Sequence, residues 1–184
     1  MNKFLKWQND QTSTGRQVLF LVIGALIFLI SIPTVLVVFL PKVDKLIGMA
    51  SFYNGSINLF VGILVLILGG FIAFATILAQ IRLASGTPFP MMPTKKLLVI
   101  GPFRYCRNPM TLGTVMVYSG IAIMVGSYTA LIFVALFFLL LLAYLKLVEE
   151  KELALRFGQE YLDYKKGTPF LIPIHFPTGK KAIK

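Results

Sequence analysis

The sequence predicts an all-α integral membrane protein with about four transmembrane helices. Three observations carry this. Of 184 residues, 57% are hydrophobic and the mean hydropathy is +0.82, far above that of an ordinary soluble domain. Apolar runs long enough to cross a bilayer recur along the chain. The basic residues stand in short clusters beside those runs. The length suits one domain covering residues 1–184.

Residues 1–17 are polar and carry Lys3, Lys6 and Arg16, with Phe4 and Trp7 suited to a membrane interface. Val18–Leu40 is the first predicted span. It is too long for a signal-peptide core and no A-x-A pattern follows it, so it reads as retained. Pro33 inside it should bend it. Residues 41–56, with Lys42, Asp44 and Lys45, read as a loop or short interfacial segment. Ile57–Ala79 is the second span. Gly55, Gly62 and Gly69 recur every seven residues, and Gly69 with Ala73 forms a small-xxx-small pair, a pattern for close helix packing.

Residues 80–108 read as leaving the membrane. SGTPFPMMPTKK holds three prolines, and Leu97–Ile100 suits a short extended piece. Pro109–Gly126 is the third span, with Pro109 in its first turn and Gly113 and Gly120 on one face. Ser127 and Tyr128 make a tight turn into the fourth span, Tyr128–Val148.

The net charge of +11 comes from 18 Lys+Arg against 7 Asp+Glu. Clusters beside apolar spans point to anionic lipid and positive-inside topology rather than to nucleic acid. With four spans, both termini and the 80–108 segment share one side, the cytosolic one. Cys106 is the only cysteine, so no disulfide forms within the chain, and Cys106 with His175 does not make a metal site. No G-x-G-x-x-G or Walker pattern favours nucleotide phosphates.

The chemistry gathers in two places. Lys95–Gly113, KKLLVIGPFRYCRNPMTLG, is basic and turn-rich yet lies between apolar segments. Such a segment covers a mouth, lines a cavity or binds something, because bare backbone is costly in lipid. The second place is the continuation of the fourth span, VEEKELALRFGQEYLDY, which holds five of the seven acids. On a helix Glu149, Leu153 and Phe157 share a stripe that Tyr161 and Tyr164 continue. Glu149 thus points with apolar side chains and needs a cationic partner or a polar cavity. Glu152 and Arg156 read as a solvated i,i+4 pair. Glu149 and Glu150 either bind a ligand or pair with Arg104 or Arg107. A mouth built from these two blocks suits a zwitterionic or cationic cofactor.

GPFRYCRNPMTLG resembles the GPYRYxRNPMYLG motif of the isoprenylcysteine carboxyl methyltransferase and phospholipid methyltransferase superfamily. EEKELALRFGQEYLDYKK is similar to that family's EExxLxxxFGxxYxxY, and the likeness covers residues 85–173, the motif-bearing core. The resemblance implies a bacterial-type inner-membrane enzyme that uses S-adenosylmethionine, with a cytosolic cofactor pocket and a small or lipid-like acceptor from the bilayer. By motif, Lys96, Leu97, Leu98, Val99, Gly101 and Phe103 would border the adenosine. Asn108, Pro109, Met110 and Thr111 would shape the pocket, and Glu149 would hold the cofactor's amino group. Arg104, which could orient an anionic acceptor, and Glu150, the second acid of the motif, are the candidate catalytic residues; Arg107 is expected to pair with an acid.

The chain departs from the family at several points. Phe103 and Thr111 stand where tyrosines are common. Leu145 occupies the position of an arginine that contacts substrate carboxylate in the prenylcysteine enzymes, with Lys146 beside it. Near the end the family often reads RVPRFIP, and this chain has GTPFLIP at 167–173. Two other readings therefore stand beside the methyltransferase: an NADPH-dependent reductase of the sterol-reductase type, and a non-catalytic relative.

Overall fold

The computed structural model describes residue 19, residues 22–84 and residues 97–172. Expectations for residues 1–17, for the proline-rich 85–96 segment and for His175 lie outside these. Helices α1 (Val22–Leu46), α2 (Ser56–Arg82, continuing to Ala84) and α4 (Tyr128–Phe157) are each long and apolar enough to cross a membrane. The apolar helix α3 (Pro109–Val125) is shorter. A 3-10 turn, Gly101–Arg104, precedes α3, and the polar helix α5 (Gln159–Gly167) follows α4.

The central contact is an antiparallel pairing of α2 with α3 through glycines. A Cβ placed on Gly69 would lie 2.7 Å from the Gly113 carbonyl, and one on Gly113 would lie 2.7 Å from the Gly69 carbonyl. Gly62 and Gly120 repeat the same reciprocal approach at 2.7 Å. Seven residues are about two helical turns, so each pair falls on one face. Lipid supplies no hydrophobic drive between helices, and close backbone approach is what small residues provide. Gly55, which shares the seven-residue spacing, is not part of this face: it sits in the turn before α2 with nothing near its missing Cβ.

The boundaries differ from expectation at three helix ends. Residues 41–46 continue α1 instead of forming a loop. Residues 80–84 continue α2, so Gln80 and Arg82 are helical although their polarity suggested an exit. The fourth span and the acidic segment form one helix as far as Phe157, and Gly158, with φ +54° and ψ −129°, then breaks the chain. Tyr161 and Tyr164 consequently belong to α5, not to the stripe of α4.

The disturbance expected at Pro33 takes the form of π-helical turns, Leu26–Ser31 and Val35–Phe39, on either side of it. Ile32 bonds to the Ile27 carbonyl, five residues back, and so does not serve Phe28. The next residue, Pro33, has no N–H. Phe28 is left without a helical donor, and the Tyr118 hydroxyl of α3 donates to its carbonyl at 2.7 Å. Around this bond α1, α3 and α4 form the core: Leu36, Tyr118, Ala122, Ala130 and Val134 are buried together.

At the end away from the motif, polar groups are closely matched. Asp44, in the last turn of α1, accepts from the Ser127 hydroxyl and from Thr129 N at 3.0 Å. It thereby places a carboxylate at the N-terminus of α4, where the helix dipole favours it. Thr129 Oγ1 donates to the Leu40 carbonyl at 2.8 Å, and Asn58 Nδ2 donates to the Ile123 carbonyl at 2.8 Å.

These contacts give two expected outcomes for unfolding in detergent. Tyr118→Phe strands a carbonyl and lowers stability by about 1–3 kcal/mol. Gly113→Val drives a side chain into the backbone of Ala73 and Gly69 and costs roughly 3 kcal/mol, whereas Gly70→Ala, with open space around it, is neutral or mildly stabilising.

Candidate functional site

At the motif end a chain of contacts starts from Arg107. Its backbone N–H donates to the Pro169 carbonyl at 2.9 Å, and its Nε to the Thr168 carbonyl at 3.1 Å. Its Nη1 pairs with Glu150 and lies 3.4 Å from the Tyr161 hydroxyl. The guanidinium also sits over the Phe170 ring, 5.3 Å from its centre. One side chain thus joins the block before α3 to α4, to α5 and to the segment after α5. Lys165 Nζ closes the other oxygen of Glu150 at 2.6 Å.

Neighbouring bonds fix the rest of the block. Gly101, with φ +61°, starts the 3-10 turn in the left-handed region that glycine favours. Tyr164 donates to the Phe103 carbonyl at the end of that turn, at 2.6 Å. Burial pushes the Tyr164 phenol above its ordinary range, so it remains a donor at any working pH. Burial, and then the charge of Glu150, raise Tyr161 as well. Asn108, the N-cap of α3, makes no capping bond with its side chain and instead donates Nδ2 to the Phe170 carbonyl at 2.9 Å. Cys106 is 2% exposed, and burial raises its thiol, so it packs as a neutral group.

Glu149 goes the other way. It ends a π turn, Leu145–Glu149, in which Glu150 N–H bonds back to the Leu145 carbonyl; such turns are frequent at functional sites. Neighbouring residues on a helix point in different directions, so Glu150 faces Arg107 while Glu149 faces a cavity of about 410 Å³. No hydrogen-bond or ion-pair partner for Glu149 exists among the described residues.

The cavity lies between the motif block and helices α1 to α4, with Tyr164 of α5 also on its wall. Phe28 and Leu29 with Gly24 and Ala25 line it from α1, Ile77 and Gln80 from α2, and Thr111 and Thr114 from α3. From α4 comes one helical stripe: Leu141, Tyr144, Leu145, Glu149, Glu152, Leu153 and Arg156. Glu152 and Arg156, expected as an i,i+4 pair, border the cavity. Arg107 reaches the lining while paired with Glu150, and Arg156 lies over the Phe157 ring at 5.3 Å.

Of the residues singled out from sequence, Leu97, Leu98, Phe103, Asn108, Pro109, Met110, Thr111 and Glu149 converge on the lining. Val99 and Gly101 are adjacent to it in the chain and do not line it, and Lys96 lies outside the described residues. Arg104 is exposed on the 3-10 turn, and Glu150 is held by Arg107 and Lys165; neither lines the cavity. Leu97–Val99 carry no regular structure, so the extended piece forms no strand. Gln80 and Tyr144 are polar lining residues that the motifs did not reveal, whereas Tyr164 is the last tyrosine of the second motif. For Gln80 one signal existed, an amide inside an otherwise apolar helix.

A family model described as phospholipid methyltransferase matches residues 57–160, more than half of the chain. The match begins in α2, contains the Arg107 block and α3, and takes in Glu149 and Glu150. No curated protein and no solved structure matches the chain.

Breaking the buried pair tests this geometry. Arg107→Ala leaves Glu150 without its main partner and is expected to cost about 3 kcal/mol or more, with Arg107→Ala/Glu150→Gln costing less than the sum of the two single changes. Thermal unfolding of the four proteins of this double-mutant cycle checks it.

Proposed function

As the chain belongs to the phospholipid methyltransferase family, whose members are S-adenosylmethionine-dependent methyltransferases, we propose that it methylates a small or lipid-borne acceptor, an amine in preference to a carboxylate, inside the cavity beside Glu149. The observation that carries this reading is the Glu149 carboxylate, without a partner among the described residues, at a cavity walled by the motif residues. A carboxylate removed from water needs a cation, and the cofactor's ammonium group meets that need. The donor set therefore fits S-adenosylmethionine. When bound, it supplies an electrophilic methyl carbon on a sulfonium that becomes a neutral thioether.

The chain's own contribution is binding and alignment. Glu149 holds the ammonium group. Leu97, Leu98 and Phe103 border the adenosine, with Tyr164 keeping the Phe103 turn in place. Phe28, Leu141 and Leu145 exclude water from the membrane side of the cavity. Glu150 acts through Arg107 as a positioning residue, and Arg104 stands outside the lining as a cation for lipid headgroups.

The preference for an amine follows from the cations. Leu145 offers no charge, Arg107 is committed to Glu150, and Lys146 lies over the Phe170 ring at 5.3 Å. Arg156 also lines the cavity, one helical turn from Glu152, whose charge acts on it, and a substrate carboxylate entering here would meet the unbalanced charge of Glu149. The motif end carries Arg82, Arg104, Lys146, Lys151, Lys165 and Lys166, while the other end has Lys42 and Lys45 around Asp44. That asymmetry supports a cytosolic cavity mouth, with both termini on the same side.

Thermal unfolding of the detergent-purified protein tests the reading. S-adenosylmethionine and S-adenosylhomocysteine should each stabilise it, by about 2.7 kcal/mol at a hundred times the dissociation constant. Glu149→Ala should abolish the response while leaving the ligand-free unfolding temperature near that of the parent. Stabilisation by NADPH alone would replace this reading with the reductase, and no response to any of them with the non-catalytic relative.

A further inference from the structure

Three polar side chains interrupt the apolar run of α2 before Arg82: Asn58, Thr76 and Gln80. Two are satisfied within the protein. Asn58 donates to the Ile123 carbonyl at 2.8 Å and accepts from Asn54 N at 2.7 Å. Thr76 is fully buried and donates to the Ile72 carbonyl at 2.7 Å. Gln80, one turn beyond Thr76, is different. Its Oε1 is buried and has no hydrogen-bond partner among the described residues, and the residue lines the cavity that Glu149 faces.

A buried amide oxygen without a donor is disfavoured, and an apolar residue at this point of α2 would carry no such penalty. The position is also held firmly. The glycine contacts fix α2 against α3, and Ala79 Cβ packs 3.8 Å from the site of a Gly101 Cβ. Gln80 therefore stands at the level of the 3-10 turn.

We infer that Gln80 is a ligand-binding residue of this cavity: its side chain lines the wall, and turning the amide about its soft last torsion brings the oxygen to accept a hydrogen bond from an N–H or O–H of the bound molecule. This assignment rests on the methyltransferase reading, and two sources can supply such a donor there. One is the cofactor, through its exocyclic amine or ribose hydroxyls. The other is the methyl acceptor, through an amine or hydroxyl.

Gln80→Met keeps the length of the side chain and removes the acceptor; Gln80→Glu keeps an acceptor. Each full-length protein is titrated in detergent with S-adenosylhomocysteine by calorimetry, then with short-chain phosphatidylethanolamine in the presence of saturating S-adenosylhomocysteine. Ligand-free unfolding temperatures are recorded in parallel. Gln80→Met should weaken one of the two titrations by about five- to tenfold, the loss of one neutral hydrogen bond, and which one it weakens identifies the source. Gln80→Glu should retain most of the affinity, and the ligand-free unfolding temperature of Gln80→Met should be equal to or above that of the parent. Unchanged affinity of Gln80→Met in both titrations, or equal losses for Met and Glu, overturns the assignment. So does a lower ligand-free unfolding temperature for Gln80→Met, which would make Gln80 a structural residue. A parent protein that binds neither probe overturns the methyltransferase reading itself, and this assignment with it.

Discussion

The arrangement of the site depends on the ion pair between Arg107 and Glu150. Taken alone, a buried pair of this kind is close to neutral for stability, because desolvating both charges offsets their attraction. Its effect here is positional. Arg107 is anchored through its backbone to Pro169 and through Nε to Thr168, so Glu150 can meet it only when α4 is in one rotation. That rotation leaves the adjacent Glu149 on the cavity side. Two neighbouring acids of one motif are thereby given opposite tasks, one spent within the fold and one kept available.

The same contrast separates the two ends of the molecule. Away from the motif, Asp44, Ser127, Thr129 and Asn58 are tied to neighbours by short hydrogen bonds. Toward the motif, Glu149 and Gln80 are left over at a shared cavity. Between the ends run the glycine pairs of α2 and α3, which allow no side chain between the backbones. Rigid packing in the middle holds the frame on which these two groups stand, neither satisfied by a partner among the described residues.

Much of this was legible in the sequence because membrane rules are local. Continuous apolar runs gave the spans, Pro109 gave the start of α3, and the spacing of Gly62, Gly69, Gly113 and Gly120 gave the packing face. The convergence of Asn108–Thr111 with Glu149 was legible only through the resemblance, since no local rule joins residues forty positions apart. What escaped had physical reasons. Gln80 and Arg82 have the polarity of an exit, and only the cavity shows why α2 continues through them. Glu152 and Arg156 have the spacing of a solvent-facing pair, and only the folded α4 shows that they border the cavity. The break at Gly158 depends on a positive φ that one glycine among many does not announce. The π turns flank Pro33, beside which Tyr118 meets the Phe28 carbonyl, and precede Glu150, which pairs with Arg107.

Helix α1 occupies an unusual place. It closes one wall of the cavity through Gly24, Ala25, Phe28 and Leu29, yet it lies wholly before the region matched by the family model. Besides the packing of Leu36 and its neighbours in the core, its described hydrogen bonds to the rest are specific: Tyr118 at Phe28, and Asp44 and Leu40 at the far end. The wall is therefore modular. Substitutions at these four α1 positions can recontour the cavity while both motif blocks stay as they are, so that the shape of the chamber and the residues of the motifs are free to evolve on separate segments of one chain.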